Sequence, residues 1–100
     1  MLKIKCFGSG SSGNGYLIDD GITQLIIEAG VQYKKVQESM SFDFSRVVGC
    51  LISHEHRDHC KFVKQLIDQV SLEVFATHGT INAMFDDDFL KLTRYHGYQF

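Results

Sequence analysis

The chain has 100 residues, enough for one domain and too few for two comfortable ones. Its apolar fraction of 44% and charged fraction of 22% are ordinary for a soluble globular domain, and a net charge of −2 with a pI near 6.2 excludes a strongly basic nucleic-acid-binding module. Three cysteines without a C-x-x-C pair exclude a disulfide framework and point to a reducing, cytoplasmic setting, while the lack of a long apolar run argues against a signal peptide or a membrane span.

Leu2, Ile4 and Cys6 alternate with Lys3 and Lys5, the pattern of a half-exposed strand. Gly8 to Gly15 is a Gly/Ser/Asn loop. Within it Gly8-Ser9-Gly10-Ser11-Ser12-Gly13 matches G-x-G-x-x-G, but a dinucleotide-binding turn needs a helix to open at the third glycine. Here Tyr16-Leu17-Ile18-Asp19 reads as a strand instead, so the stretch is a tight strand-to-strand loop. Asp20-Gly21 signals a hairpin turn, and Thr23 to Glu28 reads as the antiparallel return strand, ended by Ala29-Gly30.

Tyr33, Val36 and Met40 space a short amphipathic helix within Val31 to Met40. Val47 to Ile52 is the most apolar strand in the chain. A helix is expected from about Cys60 to Gln69, then a strand at Leu72-Glu73-Val74-Phe75. Thr77 is placed to cap a helix over Gly79 to Phe85, which Asp86-Asp87-Asp88 breaks. Phe89 to Tyr95 fits no single element, and Gly97 to Phe100 looks like a turn opening a strand. An early antiparallel hairpin followed by alternating helices and strands predicts a mixed sheet with helices on at least one face, an α+β arrangement.

Between the most apolar strand and the next helix lies His54-Glu55-His56-Arg57-Asp58-His59, which holds three of the five histidines. In an extended segment residues two apart project to one side, so His54 and His56 can share a cation. Asp58 and His59 are adjacent and diverge on a regular backbone, which suits a second cation better than the first. Two ions a few ångströms apart can activate water and stabilise a leaving oxygen. Cys60 is read as a small apolar residue in the first helical turn rather than a soft ligand, and Lys61 and Lys64 as a solvated helix face. His78 and His96 are read as surface or helix-end residues.

H-x-H-x-D-H after an apolar strand resembles the metal motif of the metallo-β-lactamase fold. Phe7 to Asn14, Leu25 to Gly30 and Ile52 to His59 follow the order and spacing of one branch, the single-domain bacterial and phage hydrolases. Some of that branch are regarded as DNA exonucleases. The resemblance implies the N-terminal half of a four-layer αββα sandwich, with residues 1–100 forming one half-domain. It implies His54 and His56 as first-metal ligands and Asp58 and His59 as second-metal ligands, with Asp58 also orienting the attacking water. Glu28 matches the acid, usually aspartate, that ends the third strand and supports the histidine loop by hydrogen bonding.

The same resemblance implies two zinc ions per complete site, or manganese in their place. The favoured function is a metal-dependent hydrolase of phosphodiester, nucleic-acid substrates. The alternatives are a lactam, ester or thioester hydrolase of the same fold, or an inactive metal-binding or assembly module. Three further ligands of the family site belong to the second half: a histidine, a bridging aspartate and a last histidine. The chain alone is therefore expected to bind metal weakly and to be incomplete for catalysis. The sheet face that packs on that half is expected to be open, apolar and prone to self-association.

Overall fold

The computed structural model describes residues 1–87 and, beyond them, the backbone of Gly97–Gln99. Phe89 to Tyr95 and His96 lie outside the described residues. One mixed sheet carries the described strands in sequential order: β1 (Lys3–Gly8), β2 (Gly15–Asp19), β3 (Gln24–Ile27), β4 (Val47–Leu51), β5 (Val74–Ala76) and β6 (Gly97–Gln99). β1, β2 and β3 are antiparallel, whereas β3 to β6 run parallel. The antiparallel part needs only short turns. Each parallel step needs a crossover, which the helices supply.

The Asp20-Gly21 turn forms as expected. Asp20 Oδ1 accepts from Ile22 N and Thr23 N, and Gly21 takes a φ of 93° that few other residues tolerate. Asp19 fastens the end of β2: it receives both arms of the Arg46 guanidinium at 3.0 Å, Gln24 Nε2 at 3.0 Å and the Gly21 N–H at 2.8 Å. These donors, Arg46 first, hold its carboxyl well below the usual carboxylate range.

Leu17, Ile26, Cys50 and Val74 stand side by side across β2, β3, β4 and β5 and are all buried. The core that includes them also contains Val36 and Met40 from around α1 (Tyr33–Ser39), Val63, Leu66 and Ile67 from the β4–β5 crossover, and Met84 from α4 (His78–Asp86). α4 is capped by Thr77, whose Oγ1 accepts from Thr80 N at 3.3 Å. The opposite row, Cys6, Tyr16, Ile27, Leu51 and Phe75, is also mostly apolar but only half-buried or exposed, and Ile4 beside it is 70% exposed.

The β4–β5 crossover differs from the single helix expected over Cys60 to Gln69. Helix begins earlier, as α2 (Arg57–Cys60), breaks at Lys61 and Phe62, resumes as α3 (Val63–Gln65) and finishes in a π-helical turn, Leu66–Val70. The break has a cause: Phe62 N donates to Ala29 O rather than to a helical carbonyl, so the turn is diverted onto the β3 end. Ser71, with φ 57° in the left-handed region, closes the segment.

Candidate metal centre

Three loops meet at the ends of the central strands. They are the glycine loop before β2, the Glu28-Ala29-Gly30 segment after β3 and the histidine loop after β4. Backbone hydrogen bonds lace them together. Asn14 N donates to Asp58 O at 2.7 Å, Gly30 N to Asn14 O at 2.9 Å and Ala29 N to His59 O at 2.7 Å. The approach is close enough to forbid side chains. A Cβ on Gly13 would sit 2.3 Å from Gly30 O, and one on Gly30 would sit 1.8 Å from Asp58 O.

Glu28 is the buried acidic residue at this junction, 5% exposed. Its φ of 69° is left-handed, an uncommon state for a non-glycine residue that costs on the order of 1 kcal/mol and clusters at functional sites. It follows the last residue of β3 and accepts from the histidine loop. Ser53 N donates to Oε1 at 2.8 Å, Ser53 Oγ to Oε2 at 2.6 Å, and His59 Nδ1 also to Oε2.

An ionised carboxylate only accepts, so each of these partners must donate. His59 therefore donates from Nδ1 and turns Nε2 toward Asn14 Nδ2, 3.5 Å away. Ser53 Oγ gives its hydrogen to Glu28 and can accept only from His54 Nδ1, 2.8 Å away. His54 is thus set in the same tautomer. One buried carboxylate orients two imidazoles, directly and through a hydroxyl.

The three imidazoles form one cluster with His54 in the middle. Its ring centroid lies 4.7 Å from that of His56 and 3.9 Å from that of His59. Glu28, His54 and His59 each offer a ligand atom, all within 4.8 Å of one another. Asp58 and His59 do not diverge as adjacency suggested: Asp58 Oδ2 is 3.6 Å from His59 Nε2. The physical reason is that both side chains are held from outside their own helical turn, the ring by Glu28 and the carboxylate by Asn14 Nδ2 at 3.3 Å.

Asn14, Ser53, Gly30 and Cys60 are the parts of this site that the sequence did not single out as such. No local pattern could have found Asn14, because its partner is 44 positions away. Cys60 is fully buried, its Sγ donating to Glu55 O at 3.3 Å and His56 O at 3.4 Å, so it tethers the loop that carries the histidines. Burial pushes its thiol up to about 12. His78 opens α4 on the exposed surface, and Lys64 pairs with Asp68.

No family model matches the sequence. The exodeoxyribonuclease YycJ of Bacillus anthracis is 31% identical over 86 residues, 83% of this chain and 33% of that protein. The exodeoxyribonuclease WalJ of Streptococcus pneumoniae is 30% identical over 93 residues, 89% of this chain and 34% of that protein. The chain thus spans about a third of the length of the curated relatives it matches. Among solved structures, the short form of human tRNase Z superposes with a TM-score of 0.71 at 15% identity, covering 99% of this chain and 44% of that one. The DIM-1 metallo-β-lactamase gives 0.66 at 13% identity, covering 99% and 52%. The mono-zinc form of the Pseudomonas aeruginosa metallo-β-lactamase FIM-1 gives 0.56 at 14% identity, covering 98% and 44%.

Proposed function

We propose that this chain, which has the metallo-β-lactamase fold, furnishes one side of a divalent-metal centre in a hydrolase of nucleic-acid phosphodiesters. The observation that supports the reading is the approach of His54 to His56 and His59, and of Asp58 to His59, beyond β4, with Glu28 bonded to His59 and, through Ser53, to His54. The donor set fits zinc, or manganese, because imidazole nitrogens of His54 and His59 lie close together and the Asp58 carboxylate is 3.6 Å from His59 Nε2. His54 and His56 would serve one ion, Asp58 and His59 a second.

Glu28 is better read as a bracket than as a ligand, since its carboxylate already accepts three hydrogen bonds. Asp58 has one oxygen bound to Asn14 and a side chain 32% exposed, and in this reading it would orient the attacking water. A divalent cation held here supplies the Lewis acidity that makes water a nucleophile near neutral pH. Similarity to two exodeoxyribonucleases supports DNA as the substrate class. Hydrolysis of a lactam, ester or thioester on the same fold is the rival. A cytoplasmic setting belongs with the same reading; no described helix is long and apolar enough to cross a membrane.

A second reading rests on the half-exposed row Cys6, Tyr16, Ile27, Leu51 and Phe75, flanked by exposed Ile4. An apolar sheet face of this kind favours association, so a metal-binding or assembly module that pairs through it is the alternative to an enzyme. Zinc titration by calorimetry, with His54→Ala as control, tests the metal centre. Binding that weakens at least about tenfold in the variant supports it, and no uptake by the wild type removes it. Hydrolysis of linear DNA that disappears in His56→Ala supports the nuclease, and hydrolysis of a lactam instead would shift the reading to the rival. Bound metal with neither activity in a protein that also supplies the remaining ligands of the site leaves the module.

A further inference from the structure

We infer that Asn14 is the positioning residue for Asp58, turning its carboxylate toward His59 through a carboxamide whose own orientation is locked by Gly10. The inference rests on the metal-centre reading above and adds to it a residue from the glycine loop.

The lock is visible in the hydrogen bonds. Asn14 is 9% exposed. Gly10 N donates to Asn14 Oδ1 at 3.0 Å, and Asn14 Nδ2 donates to Gly10 O at 3.0 Å. This two-way pair removes the usual ambiguity of an amide, because an N–H can face only the oxygen. Nδ2 is then obliged to point its second hydrogen at Asp58, whose backbone oxygen is 3.1 Å away and whose Oδ2 is 3.3 Å away. His59 Nε2 lies 3.5 Å from the same nitrogen. Everything around Nδ2 is therefore an acceptor, and three of the four belong to Asp58 and His59.

The consequence for the site is directional. Asp58 and His59 are consecutive in α2, and their side chains would ordinarily separate. Asn14 draws Oδ2 back to within 3.6 Å of His59 Nε2, where one cation can meet both. The glycines of the loop have a matching purpose. Gly10 has a φ of 112°, and Gly13 meets Gly30 too closely for a side chain, so the loop can bring Asn14 against Asp58 only with these residues absent of a Cβ.

Asn14→Asp tests the idea with almost no change of shape. It keeps the acceptor that Gly10 N uses and replaces the donor by a second acceptor facing Asp58. Titration with Co2+, followed by its visible absorption, should show affinity about tenfold weaker or more, with an altered band. In an Asp58→Ala background the same change should have a smaller further effect, since the Oδ2 it repels is gone while Gly10 O, Asp58 O and His59 Nε2 remain. An equal loss in that background, an unchanged affinity or a tighter one would overturn the inference. Amide NMR gives a second measurement that needs neither metal nor a variant at position 14. The Asn14 side-chain NH2 resonances should move in Asp58→Ala, and their failure to move would overturn the inference even where the Asn14→Asp protein does not fold. Absence of Co2+ uptake by the wild type would count against the metal centre, leaving the NMR result to judge Asn14.

Discussion

Gly30→Ala is the sharpest perturbation of this structure. The new methyl carbon would lie 1.8 Å from Asp58 O, 2.4 Å from Asp58 C and 2.9 Å from Asn14 N. All three are backbone atoms, so no side-chain rotation relieves the contact. Reaching 3.0 Å requires a movement of at least about 1.2 Å between the Glu28–Gly30 segment and α2. That movement opens the Asn14 N to Asp58 O bond and strains the Ala29 N to His59 O bond, both 2.7 Å. Overpacking costs about 1–3 kcal/mol, and each weakened hydrogen bond adds about 1 kcal/mol. The expected loss is about 3–5 kcal/mol, which at about 4–8 °C per kcal/mol for a domain of this size lowers Tm by at least about 12 °C. Thermal unfolding followed by circular dichroism measures it. Gly79→Ala is the control: its added carbon meets nothing within 4 Å inside α4, and helix propensity predicts a gain of up to about 1 kcal/mol. A Gly30→Ala protein that melts within about 2 °C of the wild type would refute the close packing of these loops.

Glu28→Gln should weaken zinc affinity about tenfold or more, because one amide face must present a donor to Ser53 or to His59 where only an acceptor fits; calorimetric titration reads it, and an unchanged affinity would remove Glu28 from the site. The ion pair at Asp19 predicts an acid sensitivity. Its carboxyl is depressed below its ordinary value of 3.8, chiefly by Arg46, so its stabilising contribution is full above that value and fades as pH falls below it. Asp19→Asn should flatten this part of the stability–pH curve measured by urea unfolding, and an identical curve would deny the pair its role. Cysteine reactivity should divide by burial. Iodoacetamide at neutral pH should label exposed Cys6 in the folded protein and spare Cys50 and Cys60, whose thiols burial pushes up; mass spectrometry of the labelled peptides would expose any error.

Local pattern carried the architecture a long way. Alternation marks β1, the Asp20-Gly21 turn sets the hairpin, and the apolar run at Val47 makes a central strand paired in parallel on both sides. Each of these depends on neighbours in the chain, so the sequence alone expresses it. The crossover after β4 was less legible. Its break at Lys61 and Phe62 comes from a carbonyl on Ala29, far away in sequence, and no periodicity encodes a hydrogen bond to another loop.

The same distinction runs through the site. Four potential ligands in six residues can be read directly, because ligand chemistry resides in residue type and close spacing. Their arrangement cannot. His54 became the centre of the cluster, and Asp58 turned toward His59, because Glu28 and Asn14 reach them from loops 26 to 45 positions earlier. The sequence determined which groups are present and which strand delivers them. Tertiary structure decided which nitrogen carries each proton and where each carboxylate points, since both are fixed by partners brought close only when the sheet assembles.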